Sequence, residues 1–281
     1  MSTVIPNSKA ASTSSSSVYA SNHDAATLRT HEWRTVANSA AYLIPYLKPD
    51  MKILDVGCGP GSITIDLARY VPDGYVIGVE YASKPLTAAR LLAEKKQVTN
   101  VQFAVADALD LKEYADNTFD VVHAHQVLQH VPDPVRALRE MRRVVRPGGL
   151  LALRESATMG WYPRLKGLDQ WYDIYRKVGK GLGGNPDPGS YIHVWAQEAG
   201  FGREDITCSA GTWCFSAPDE RKWWSDIWAE RVLAASYVEK AEQGGYCTRE
   251  DLSRIASTWK AWGEDKDGWF TITHGEIICR K

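Results

Sequence analysis

The 281-residue chain is short of one-sided charge, long apolar runs and clustered sulfur, and each shortage removes a class of function. With 33 Lys+Arg against 34 Asp+Glu the formal net charge is −1. That leaves no basic footprint for nucleic acid or an anionic membrane. No stretch approaches the ~18 consecutive apolar residues that span a bilayer. The Ser-rich start also lacks the charged-then-apolar pattern of a secretory signal. The expectation is a cytoplasmic protein with a small-molecule substrate and no nucleic-acid or membrane partner; the sequence carries no signal for oligomeric state. The cysteines (Cys58, Cys208, Cys214, Cys247, Cys279) are odd in number, with no C-x-x-C and no His pair at zinc spacing. This argues against a disulfide framework or a bound metal.

What is present is an ordinary globular composition, 44% hydrophobic and 24% charged, long enough to bury a full core. Residues 1–22, with STSSSS inside them, hold too little apolar content to pack and read as a disordered leader. A single domain is expected over 23–281. It opens with amphipathic helices over 23–50, where Leu28, Val36, Ala40, Leu43 and Leu47 recur at helical spacing. The period then changes. Strands are predicted at 51–57, 75–80, 101–107, 119–125 and 148–156, with helices between them, the alternation that builds a parallel sheet covered on both faces. Beyond it lie helical insertions over 157–190 and 218–266, a Gly/Pro-rich loop at 179–189 expected to be a mobile lid, and strands near 205–215 and 269–279. The 11 Trp are unevenly placed, since only Trp33 precedes residue 160.

The chemistry concentrates in ILDVGCGPGS (53–62), where a strand ends in a glycine-rich turn that opens a helix, the setting of a nucleotide-type site. Gly57, Gly59 and Gly61 let backbone approach a ligand. Ser62 stands where a dinucleotide fingerprint wants Gly or Ala, which weakens NAD or FAD without excluding them. The second strand ends in Glu80, 23 residues after Gly57, placed to accept hydrogen bonds from a ribose diol. The third ends near Asp107-Ala108, a carboxylate and an adjacent N–H suited to an adenine edge. Both acids fall at carboxyl ends of strands, where open α/β sheets bind ligands.

The blocks ILDVGCGPG, VIGVE, VADALDL, FDVVHAHQVLQHVPDP and VVRPGGLLALRES, in this order, resemble class I S-adenosylmethionine-dependent methyltransferases of the ubiquinone-biosynthesis-like branch. The resemblance implies a Rossmann-like, doubly wound α/β fold whose seven-stranded sheet ends in an antiparallel strand, with an N-terminal helical lid and helical insertions in the C-terminal half. It implies S-adenosyl-L-methionine as cofactor. It carries Gly57 and Gly59 to the methionine and ribose portion, Glu80 to the ribose hydroxyls and Asp107 with Ala108 to the adenine, with Tyr81 also on the cofactor-binding side. His125 and Gln126 fall at the methionine amino group and the methyl-transfer face. LRTHEWRTVANSAAYLIPYL also resembles this branch, whose N-terminal helix closes over the cofactor; Trp33 would roof the sulfonium and Arg34 bind the carboxylate.

Methyl transfer needs an aligned, desolvated nucleophile. An oxygen acid of high pKa needs a base as well, whereas a thiol supplies thiolate by itself. Candidate catalytic groups are His125 and His130, for proton removal or for positioning only. Trp161, Tyr162, Trp171, Tyr175 and Trp228 are expected to line an apolar or aromatic acceptor site. The chain resembles fungal secondary-metabolism enzymes that methylate both thiols of a reduced epidithiodiketopiperazine such as gliotoxin, so S-methylation of a small dithiol is the leading expectation. The alternatives are O- or C-methylation of a phenol or quinone, and a non-catalytic regulatory protein of the same fold.

Overall fold

The computed structural model describes residues 25–281; the expected leader lies outside the described residues. The N-terminal segment is α1 (Ala25–Glu32), α2 (Val36–Ser39) and a 3-10 turn, Ala41–Tyr46. The amphipathic run predicted here breaks up for local reasons. Thr35 caps α2 reciprocally with Asn38, and Pro45, inside the 3-10 turn, has no amide to continue an α-helix.

The alternating region follows as β1 (Lys52–Val56), α3 (Ser62–Tyr70), β2 (Tyr75–Glu80), α4 (Ser83–Lys95), β3 (Val101–Val105), β4 (Phe119–His125), α5 (Pro134–Val144) and β5 (Val145–Tyr162). α5 starts where Asp133 accepts from the Arg136 amide at 2.9 Å, with Pro134 in the first turn. The C-terminal half adds α6 (Lys166–Gly181), α7 (Ile192–Glu198), β6 (Ile206–Phe215), α8 (Pro218–Leu233), α9 (Ala235–Gln243), α10 (Arg249–Glu264) and β7 (Trp269–Arg280). Within the helical insertion expected over 218–266, α8 and α9 divide at Ala234, whose ψ of 134° is extended.

The seven strands order as β3-β2-β1-β4-β5-β7-β6. β1 to β5 are parallel neighbours, and β7 runs antiparallel between β5 and β6, as the family resemblance implied. β5 is longer than the predicted 148–156, because β7 pairs with it as far as Tyr162↔Trp269. The order reverses between β1 and β4, so the carboxyl ends of these strands open a crevice at the switch point.

Two apolar clusters cover the sheet, one on each face. Leu54, Val56, Val122, Leu138 and Leu151 anchor one, and Ile53, Val76, Val121 and Leu150 the other. A third cluster belongs to the C-terminal insertions and is built largely of rings: Trp171, Trp228 and Trp259 meet edge to face or stacked at 4.6–5.9 Å. All five cysteines are unpaired.

Candidate active site

The carboxyl ends of β1 to β5 border a cavity of about 530 Å³. Gly57, Cys58 and Gly59 enter it after β1, Glu80 and Tyr81 after β2, Asp107 and Ala108 after β3, and His125, Gln126 and His130 after β4. The predicted cofactor-side residues therefore meet in one space, with Arg34 among them and Trp33 excepted.

The glycines of the turn do different work. Gly57 (φ +69°) is packed so closely that a Cβ would lie 2.4 Å from Val127 Cγ2, and at Gly61 (φ +78°) one would lie 2.8 Å from Phe103 Cζ. Both positions allow close packing; Gly57 also lines the cavity, and Gly61 does not. Gly59 is the open one, with His31 Nδ1 its nearest neighbour at 3.7 Å. Its amide donates to Glu80 Oε2 at 3.1 Å, and the Tyr81 amide donates to Oε1 at 2.9 Å. Glu80 is thus the last residue of β2 and is fixed by two backbone N–H groups, with lone pairs remaining on both oxygens. β3 stops at Val105, earlier than expected, and Asp107 lies in the following turn, where Oδ1 accepts from the Leu109 amide at 2.9 Å.

Beneath them Asp55 is fully engaged: Oδ2 accepts from Thr64 Oγ1 at 2.6 Å, and Oδ1 lies 2.8 Å from Nδ1 of buried His123. His125 is buried in the cavity wall. Its Nδ1 lies 3.4 Å from Arg34 Nη1, and Arg34 Nη2 donates to Gln126 Oε1 at 2.7 Å. Burial, then the Arg34 and Arg154 cations, hold the His125 pKa well below the ordinary imidazole value. Burial with Arg34 and Arg231 pushes His130 down to about 3. Both rings are neutral near pH 7. They can orient an acceptor, but as bases they are weak.

The N-terminal segment covers this space. Ser62 Oγ donates to the His31 carbonyl at 2.6 Å, the Val36 amide donates to Asp66 at 2.8 Å, and Arg29 pairs with Glu230 of α8. Thr30, His31 and Arg34 reach the cavity. Trp33 does not: its ring packs on Trp213, Phe215 and Trp223 at 5.2–5.6 Å, so it anchors the segment instead of roofing a ligand.

The predicted acceptor set divides. Tyr175 and Trp228 line the cavity, whereas Trp161, Tyr162 and Trp171 do not. Trp171 is completely buried in the ring cluster, and Trp161 stacks near Phe270 with 12° between the planes. Tyr162 is 58% exposed, on the opposite face of β5 from Trp161. Helical spacing cannot separate a core ring from a lining ring; packing does. Of the Gly/Pro-rich loop, Gly179 and Pro186 line the cavity, and its first residues, to Gly181, still belong to α6.

Sequence reasoning missed Trp213, Met159, Ser156, Ile272 and Arg231, which also line the cavity. Trp213 is the most connected of these. Its Nε1 donates to the Asn38 carbonyl at 2.6 Å, and the Arg34 and Arg154 guanidinium carbons lie 5.4 and 5.3 Å from its ring centroid. Its clue was weak, a single Trp in an edge strand made mostly of small residues.

The family model for a methyltransferase domain matches residues 47–200, the span that carries every strand-end residue of the site. The chain belongs to the methyltransferase domain family. An uncharacterized methyltransferase of Schizosaccharomyces pombe is 36% identical over 94% of this chain and 96% of its own. The probable methyltransferase ltbC of Aspergillus luteorubrus is 29% identical over 96% of this chain and 100% of its own. Among solved structures the [4+2]-cyclase SpnF is similar at 20% identity, with a TM-score of 0.53 over 91% of this chain and 81% of that one. That likeness shows the fold alone. The methyltransferase is an α/β enzyme in which, among the described residues, no helix is long and apolar enough to cross a membrane and no His/Cys/Asp/Glu group could hold a metal.

Proposed function

We propose that this methyltransferase uses S-adenosyl-L-methionine to methylate a small apolar or aromatic metabolite, in the first instance a dithiol at sulfur. The observation that carries this is one cavity in which Gly59, Glu80 and Asp107 adjoin a wall of rings and neutral histidines. The residues fit the cofactor. Gly59 offers open backbone, Glu80 and Asp107 keep acceptor capacity for a ribose diol and an adenine amine, and Ala108 supplies an adjacent backbone amide. Arg34 and Gln126 would hold the amino-acid end, the guanidinium matching a carboxylate. The cofactor, when bound, supplies an electrophilic methyl group.

The acceptor end is formed by Met159, Tyr175, Trp213, Trp224, Trp228 and Ile272. These exclude water and align a compact ring system. Because His125 and His130 are poor proton acceptors, an acceptor that ionises by itself is favoured, a thiol over a phenol of higher pKa.

Native mass spectrometry with S-adenosyl-L-methionine, followed by turnover on reduced gliotoxin, tests the proposal. One and two added methyl groups are expected. An enzyme that methylates phenols or quinones and ignores dithiols would overturn the sulfur assignment.

A further inference from the structure

We infer that Glu155 is a positioning residue whose buried carboxylate holds the turn after β4 and, through it, the loop after α6, and so shapes the acceptor end of the cavity. The inference deepens the proposed function by taking that end as the acceptor site. Glu155 is 0% exposed and lies near the carboxyl end of the buried part of β5. Oε1 accepts from the Val127 amide at 2.8 Å and from the Leu128 amide at 2.7 Å. Oε2 has no hydrogen-bond partner among the described residues.

Those two amides belong to the turn in which Gln126 takes a φ of +56° and from which Val127, Gln129 and His130 reach the cavity. The Gln129 carbonyl in turn accepts from the Asn185 amide at 2.9 Å, and Asn185 precedes Pro186, a lining residue contributed by a second segment. One carboxylate therefore sits at the root of two walls. A neutral amide of the same size would accept both backbone bonds without the cost of burying a charge. What Glu155 adds is titration.

Burial pushes its pKa up to about 8, against the Leu128, Val127 and Gln129 backbone and Arg34. Tyr42 faces the same charge, and nearby Asp187 is tied to Arg176 at 2.7 Å. As pH rises through that value, Oε1 changes from a neutral to a charged acceptor, whose hydrogen bonds are roughly twice as strong. Because burial outweighs those bonds, ionisation still costs more in the closed turn than in an opened, hydrated one, so the turn is then held less tightly.

Hydrogen exchange read by mass spectrometry, corrected for intrinsic rates, tests this on the ligand-free protein at about pH 6.5 and about pH 9, either side of the titration. In the wild type, peptides covering 126–131 and 182–187 should lose about tenfold protection at the higher pH. Glu155→Gln should remove that step and leave β1 unchanged. Glu155→Asp keeps the charge but loses reach, so both peptides should exchange fast at both pH values, and it decides the matter if the Gln variant does not fold. An equal step in wild type and Glu155→Gln, no step in wild type, or wild-type protection in Glu155→Asp would overturn the inference. The readout needs no cofactor or turnover, so a protein that shows the step yet methylates nothing sinks only the proposed function. Where reduced gliotoxin turns over, Glu155→Gln should lower its KM severalfold relative to wild type above about pH 8, with kcat within about twofold. An unchanged KM would remove Glu155 from the acceptor end.

Discussion

Replacing Glu80 by Ala isolates the contribution of one carboxylate to cofactor binding. Its two oxygens are already held by the Gly59 and Tyr81 amides at 3.1 and 2.9 Å, so the side chain is preorganised and any ligand hydroxyl meets a fixed acceptor. Hydrogen bonds to a charged group contribute about 1.5–3 kcal/mol each in buried settings. Glu80 is only half-buried, and water can replace part of what is lost, so the expected total is about 1–3 kcal/mol. This corresponds to a Kd for S-adenosyl-L-methionine raised about 5- to 150-fold. Glu80→Gln keeps one acceptor oxygen but turns an NH₂ toward one of the two amides, so it should fall between wild type and Ala. Titration calorimetry with S-adenosylhomocysteine, beside circular dichroism to verify folding, measures both variants. A folded Ala variant whose Kd stays within about twofold of wild type would show that the ligand does not use this acceptor.

Other consequences are open to direct measurement. Gly57→Ala places a Cβ 2.4 Å from Val127 at a φ of +69°, and should cost about 2–4 kcal/mol in urea unfolding; a loss below about 0.5 kcal/mol would contradict the packing role. Trp171→Ala should destabilise by about 3–5 kcal/mol as a core deletion, whereas Trp228→Phe should chiefly weaken acceptor binding; the opposite pattern would return Trp171 to the site. His130→Gln should lower kcat less than about tenfold, and the rate should follow the acceptor's own ionisation; a loss of 10²–10⁴-fold would identify a true base. Buried His125 and His274 and partly buried His130 have folded pKa values below the unfolded value of about 6.5. The stability they contribute is complete above that pH and is lost as pH falls toward about 3, so denaturant midpoints should drop between pH 6.5 and 4; a flat profile would refute it.

The alternating half of the fold was legible because its signals are local. Apolar runs of five to seven residues ending in Gly57, Glu80 and His125 are strands whatever surrounds them, and the sheet order then brings their ends together. Boundaries erred where a distant partner decides the length, as when β7 extends β5 to Tyr162.

The C-terminal half could not be read in the same way. Trp171 and Trp228 both lie on amphipathic helices rich in rings, yet one is sealed among Trp259, Tyr175 and Phe270 and the other faces the cavity. Trp213 is 175 residues from the Asn38 carbonyl that fixes its indole, and Glu155 is 28 residues from the amide it holds. The sequence by itself determined the nucleotide-type turn, the acidic end of β2 and the alternation of strands with helices, since each follows from backbone geometry within a few residues, while the doubly wound order was implied by the family resemblance. Which rings form the acceptor wall, which glycine stays open, and which carboxyl is buried with one unpaired oxygen were decided by tertiary packing, because burial and electrostatic field depend on neighbours that chain distance does not reveal.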